Sequence, residues 1–377
     1  MSVRLRLYYG RRLYDISGTE QLFFRAMLEN VRHHMERCHE YAAILKNQGF
    51  SLDTLRAPED LHKIPPLTTL YLKRHPLYSM QKERMILKST TSGTSGQVSV
   101  VGYDWASIMR GVGMVLTTVF THRLLSPRLT NYIILGYPPA KRNKIGATRT
   151  AIGATFAAPA LCREYALSDA EGKYKLNIDG LREALASYQK QGRPVRFIGF
   201  PAYFMFFLRE LQNNGIRLRL HPKSLVILGG GWKKYFTERL EKNELYALSE
   251  KVLGVGAARV REFFGVVEHS VGYLDCRNHH FHVPRYSRVI IRDVNTLKPI
   301  GYGMPGFLNL LTPMITSMPL SSVITDDLAT LYPGETCGCG ITSPYFEVHG
   351  RAGMADIKTC AAGANELLAD IGRRTPS

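Results

Sequence analysis

The residues from Ser89 to Gln97, STTSGTSGQ, place six hydroxyls and two glycines in nine positions just after an apolar run that ends at Leu87. Glycine lets the backbone come close to a ligand, and successive N–H groups with hydroxyls form a nest for an anion. The chemistry such a stretch serves is phosphate binding, although clusters of Ser, Thr and Gly also build ordinary surface turns. A second set lies in the last third of the chain. Cys276-x5-His282 with Cys337-x-Cys339 supplies a Cys₃His donor set suited to tetrahedral zinc, with His279 or His280 as alternative nitrogen ligands. The other reading is a group of unoxidised thiols on β-turns.

These residues need elements to carry them. VRFIGF (195–200), SLVILGG (224–230) and ARVREFFG (258–265) read as strands. PAYFMFFLRELQNNG (201–215) and the charged stretch 233–254 read as helices, the first with proline at its start and glycine at its end. Strands and helices alternating through short connections imply right-handed crossovers and a parallel sheet. Ligands of such sheets sit beyond the carboxyl ends of the strands. Those ends are Gly199-Phe200-Pro201, Gly229-Gly230-Gly231-Trp232 and a segment closing on Glu268. Tyr137, Pro138, Phe200, Tyr203 and Phe204 lie at or near strand ends, where they would line an apolar pocket for a fatty or aromatic acid or serve as core. Residues 20–47 read as one packing helix, and the chain after Pro284 reads as short strands of a small β-rich subdomain.

The chain has 377 residues, 45% hydrophobic and 21% charged, enough for a substantial core and two lobes. This composition excludes a disordered chain and a small disulfide-stapled module. The six cysteines, without an export signal, read as thiols or metal ligands, and a cytoplasmic location is expected. The 49 Lys and Arg against 31 Asp and Glu give a net charge of +18, spread in short clusters without aromatic interleaving. Nucleic acid is therefore not the expected partner, and the field suits a nucleotide, an acidic protein or a membrane surface alike.

In order along the chain, TTSGTSGQ, GGGW, FFGVVE, ITDDL and HGR resemble the core of the adenylate-forming superfamily over about residues 85–355, nearest to the LuxE-type acyl-protein synthetases and phenylacetate-CoA ligases. The resemblance implies an α/β fold: a parallel-sheet adenylate-forming core at 85–283, an N-terminal helical segment at 1–84, a β-rich subdomain at 284–350 and a short tail at 351–377. It implies an ATP- and Mg²⁺-dependent enzyme that converts a carboxylic acid to an acyl-adenylate. Thr91, Ser92, Gly93, Thr94, Ser95 and Gly96 would wrap the ATP phosphates, and Gly229, Gly230 and Gly231 would lie along the adenine. Glu268 would hold Mg²⁺, Asp327 would bind the ribose, and Arg351 would sit near the ribose or phosphate. The phenylacetate-CoA ligases share similar cysteine and histidine positions, which extends the zinc reading.

The larger superfamily carries a C-terminal lid domain with a catalytic lysine, whereas this chain continues 26 residues past Arg351. LuxE-type enzymes share that truncation, so a short tail or another protein is expected to close the site. Their acyl group passes to a cysteine near the C-terminus. RAGMADIKTCA (351–361) resembles that segment and nominates Cys360, although Lys358-Thr359-Cys360 departs from the more usual Arg-Gly-Cys. A reductase or transferase would then receive the acyl group. Two rival readings remain: a stand-alone enzyme adenylating an aromatic acid with Cys360 idle, and a non-catalytic nucleotide- or nucleic-acid-binding relative.

Overall fold

A computed structural model of the chain describes residues 2–90, 99–136, 138, 153–170, 173–230 and 241–351. Thr91, Ser92, Gly93, Thr94, Ser95, Gly96, Tyr137, Gly231 and Cys360 lie outside the described residues. Two compact units are present, one formed by Met1–Thr121 with Val266–Ser377 and the other by His122–Gly265. These boundaries differ from those expected at 84/85 and 283/284. The first 121 residues pack with the strands after 266, and such a discontinuous unit has no local sequence mark.

In the unit His122–Gly265, five parallel strands run in the order Val260–Gly265, Leu225–Gly229, Val195–Gly199, Thr130–Leu135 and Ala160–Tyr165. Side chains alternate across the sheet, as strand geometry requires. Ile133, Leu135, Phe197, Val226, Leu228 and Val260 enter the larger core, under the helices Ile178–Gln191, Pro201–Asn213 and Lys242–Leu253. Tyr132, Ile134 and Ile198 enter a smaller cluster. Pro201 opens its helix at the first turn, where a missing N–H costs nothing, and the helix is followed by Gly215 at φ +67°. Each fully buried side chain such as Phe197 or Phe204 contributes about 1.5–3 kcal/mol. The expected strands and crossover helices are therefore present, with Lys242–Leu253 as the described part of 233–254.

The other unit is built on a mainly antiparallel sheet. Its order is Phe281–His282, Tyr345–Arg351, Ser322–Tyr332, Pro305–Leu311, Arg288–Arg292 and Pro299–Ile300, with Leu67–Thr68 added parallel to Ser322–Tyr332. The register shifts between Leu328 and Ala329 where Ser322–Tyr332 pairs with Tyr345–Arg351. Such a bulge re-aims neighbouring side chains, and it falls beside Asp327. The helix expected at 20–47 is two helices, Glu20–Arg37 and His39–Asn47. Cys38 breaks it with an extended backbone at φ −130°, ψ 94° while its buried side chain stays in the core. Among the described residues, no helix is long and apolar enough to cross a membrane.

Candidate active site and metal centre

The strands Leu87–Thr90 and Val100–Tyr103 form an antiparallel pair in which Thr90 opposes Val100. Thr90 and Val100, on either side of the stretch 91–98 in sequence, are thus held opposite one another by a paired stem. Tyr103 at the base of this stem lies 2.9 Å, hydroxyl to hydroxyl, from Ser270. Burial raises its pKa, and the nearby Glu268 charge adds to the rise. Ser270, in turn, donates to the Val267 carbonyl at 2.9 Å and takes up φ +59°, which turns the chain sharply just after Glu268.

Glu268 is 4% exposed, and its Oε1 has no hydrogen-bond partner among the described residues. Asp327 is 5% exposed, and its Oδ2 is likewise without one. Its other oxygen accepts from Arg351 Nε at 3.0 Å, across a register pair that sets Asp327 directly opposite Arg351. The Arg351 guanidinium pKa is raised, chiefly by Asp327, with further contributions from Asp326 and Glu268. The structure therefore brings Glu268, Asp327 and Arg351 into one electrostatic neighbourhood, although they are separated in sequence. A buried carboxylate oxygen without a partner is costly, and the natural occupants of such positions are cations, hydroxyls and water. These acceptors fit a hard cation at Glu268 and a polyhydroxylated ligand at Asp327.

Sequence reasoning missed three neighbours. Asp326 accepts from Thr69 Oγ1 at 3.2 Å, and Tyr103 bears on Glu268 from the stem. His269 is fully buried, with Nε2 2.9 Å from Tyr273 Oη and 3.3 Å from Ser287 Oγ, and Ser287 Oγ donates to the Leu311 carbonyl. Burial pulls the His269 pKa down to about 3, so the imidazole next to Glu268 is neutral. Position beside a motif residue is the signal that could have found His269. Tyr103 had no comparable signal.

In the other unit, Gly136, Gly199 and Gly229–Gly230 stand at the carboxyl ends of three adjacent strands. Gly199 has φ +142°, and a Cβ there would lie 2.4 Å from the Leu135 carbonyl oxygen. Gly230 has φ +82°, and a Cβ would lie 2.5 Å from the Phe200 ring. Both positions therefore demand glycine. Phe200 is buried against this rim and meets Tyr203 edge-on at 5.9 Å. Phe204, by contrast, is wholly enclosed with Phe197 in the core, 5.5 Å between ring centres, and acts in packing.

The sulfurs of Cys276, Cys337 and Cys339 and a ring nitrogen of His282 all lie within 4.8 Å of one another. Cys276 Sγ is 3.5 Å from Cys337 Sγ, and Cys339 Sγ is 3.2 Å from His282 Nε2. His282 Nδ1 faces the Ser343 carbonyl at 2.7 Å, which assigns its proton to Nδ1 and leaves the Nε2 lone pair for the cluster. Backbone N–H groups of Asn278 and Ile341 donate to the sulfurs of Cys276 and Cys339. Of the alternative histidines, His279 pairs with Asp275 at 2.8 Å. His280 lies between Cys337 Sγ and Glu347, at 3.2 and 3.1 Å. Strand pairing creates the cluster, since Phe281 opposes Phe346 and His282 opposes Tyr345.

Among solved structures, 2-hydroxyisobutyryl-CoA ligase in an open conformation with 2-HIB-AMP and CoA matches with a TM-score of 0.66 at 14% identity, over 91% of this chain and 77% of that one. The same ligase in its postadenylation state with R3-HIB-AMP gives 0.68 at 14% identity, over 90% and 69%. This likeness shows the fold. The family model for acyl-protein synthetase, LuxE, matches residues 12–369. The chain belongs to the LuxE acyl-protein synthetase family. As a LuxE-family protein it is an acid-activating ligase. Its relatives include the long-chain-fatty-acid–luciferin-component ligase of Vibrio harveyi, 24% identical over 94% of this chain and 90% of that protein. The ligase of the same description from Aliivibrio fischeri is 23% identical over 80% of this chain and 79% of its own.

Proposed function

We propose that this LuxE-family protein activates a long-chain fatty acid with ATP and holds the acyl group as a thioester on Cys360. The observation that carries the reading is the pair of buried carboxylates, Glu268 and Asp327, each with an oxygen unpartnered among the described residues, gathered with Arg351. The long-chain acid is supported by the names of both Vibrio harveyi and Aliivibrio fischeri relatives.

In the first step a substrate carboxylate oxygen attacks the α-phosphorus of ATP and pyrophosphate leaves, giving acyl-AMP. Both partners are anionic, so the protein must hold them in line and offset their repulsion. Residues 91–96, on their paired stem, would cradle the phosphates, and Gly229 to Gly231 would admit the adenine. Asp327 would accept from the ribose hydroxyls through Oδ2, with Arg351 fixing its other oxygen. Glu268 would hold Mg²⁺, which when bound neutralises phosphate charge. Phe200, Tyr203 and Tyr137 would flank the acid. In the second step the Cys360 thiolate attacks the acyl carbonyl carbon, AMP departs, and the thiol proton passes to solvent. Lys358 would favour the thiolate. A reductase or transferase would take the acyl group onward. Cys276, His282, Cys337 and Cys339 would hold a structural zinc ion. A cytoplasmic site of action, where ATP is supplied, fits this reading.

The test is intact mass after incubation with ATP, Mg²⁺ and a panel of fatty and aromatic acids. Wild type is expected to gain a hydroxylamine-labile acyl adduct. Cys360→Ser is expected to lose the adduct entirely while keeping acid-dependent exchange of pyrophosphate into ATP. An adduct that survives in Cys360→Ser removes Cys360 from the mechanism, and exchange supported only by aromatic acids removes the fatty acid.

A further inference from the structure

The helix Trp105–Thr121 is inverted with respect to an ordinary surface helix. Its buried residues are Ser107, Arg110, Gly113 and Thr117, at helical spacing. Arg110 Nε donates to the Met314 carbonyl at 2.6 Å and Nη2 to Thr316 Oγ1 at 2.8 Å, while Thr117 Oγ1 reaches the Tyr8 carbonyl at 2.8 Å. The opposite face carries Trp105, Val112, Val115, Leu116 and Phe120, which are 63%, 43%, 54%, 44% and 65% exposed. At roughly 100° per residue these side chains share an arc of about 140°, and they extend about 22 Å along the axis. A contiguous apolar face of this size marks a surface that meets something other than water.

We propose that this face is a docking surface for an anionic lipid bilayer, with the helix lying in the plane of the interface. Two observations select that occupant. The sequence from Trp105 to Thr121 contains no carboxylate, so nothing on the stripe repels a negative surface. Exposed cations also lie on the segment that packs against this helix. The N-terminal segment is fastened to the helix by Tyr9 Oη, which donates to the Met109 carbonyl at 2.8 Å, and the same segment exposes Arg6, Arg11 and Arg12. Apolar side chains that enter the acyl boundary, a tryptophan at one end and arginines at the rim are the composition of an interfacial helix. A second copy of this chain fits less well. An isologous contact would bring two arginine rims together on molecules that each carry +18.

Vesicle flotation tests the surface independently of the acid that the enzyme activates. Vesicles of phosphatidylglycerol with phosphatidylcholine are expected to float the protein, and vesicles of phosphatidylcholine alone to float at least tenfold less. The double variant Val115→Asp/Leu116→Asp should lose tenfold or more of this binding with an unchanged unfolding temperature. Arg11→Glu/Arg12→Glu, which leaves the helix intact, should lose binding to the anionic vesicles in the same sense. Wild type that fails to float overturns the proposal, as do helix and rim variants that float as well as wild type. Self-association of wild type that the aspartates abolish, without vesicle binding, assigns the face to a second copy instead. Capture by an acidic protein at an affinity that vesicles do not match assigns it to a protein partner.

Discussion

Glu268→Gln is expected to lower acid-dependent exchange of pyrophosphate into ATP by about 100- to 1000-fold, an increase of about 3–4 kcal/mol in the barrier. The substitution keeps the size of the side chain and its Oε1 acceptor but removes the charge. That acceptor is buried and has no partner among the described residues, so its charge costs the folded protein stability until a cation meets it. A second readout follows from the same reasoning. Without nucleotide, Glu268→Gln should unfold at the same temperature as wild type or slightly higher, because a neutral amide is cheaper to bury. Exchange within threefold of wild type would exclude Glu268 from the activation step. A marked fall in unfolding temperature would instead make Glu268 a structural residue whose loss damages the fold. Stopped exchange with undamaged stability is the combination that separates the two.

The parts of the molecule that were legible in the sequence are those whose physics is local. Pro201 and Gly215 bracket a helix because one lacks an N–H that the first turn does not need and the other supplies a positive φ. The glycines at 199 and 229–230 mark strand ends because a Cβ at Gly199 or Gly230 would collide with Leu135 or Phe200. Cys38 was not legible, since an apolar stripe runs through it and only its extended backbone divides the two helices. The unit boundary at 121/122 was not legible either, because it depends on contacts between residues 150 or more positions apart, such as Arg110 with Met314. The inverted helix at 105–121 was hidden for a similar reason, since Thr316 and Tyr8, which occupy its polar side, lie 206 and 109 positions from the residues they meet. At the active site, Asp327 and Arg351 each carry a motif, but their pairing belongs to the register of two strands. His269 carries no motif, and its neutrality is a property of burial alone.

The Cys₃His cluster supports the second large effect. Purified without chelator, the protein is expected to contain one zinc ion per chain by elemental analysis, and Cys337→Ser to contain much less. Tetrahedral zinc with Zn–S bonds of about 2.3 Å places its sulfurs about 3.8 Å apart, so donor atoms within 4.8 Å of one another need only small movements to close on one ion. Without a cation the cluster is an unfavourable place for charge. Burial, with the neighbouring sulfurs of Cys339 and Cys276, pushes the Cys337 thiol up to about 12, so a thiolate there requires a positive partner. Structural zinc typically contributes about 10–16 kcal/mol to the folding of the peptides it organises. Even if only ~5 kcal/mol of this were retained, at ~2–4 °C per kcal/mol its loss would lower the unfolding temperature by roughly 10–20 °C. The cluster ties the turn before Phe281 to the turn before Tyr345, and the latter strand carries Arg351 to Asp327. Removing zinc with a chelator should therefore weaken ATP binding as well as stability, and adding zinc back should restore both. His280→Ala should retain the metal, because His280 lies between Cys337 and Glu347 and His282 completes the donor set. A protein that purifies without metal and unfolds at the same temperature with and without chelator would leave these four residues as a packed thiol and imidazole cluster, held by the strand pairing alone.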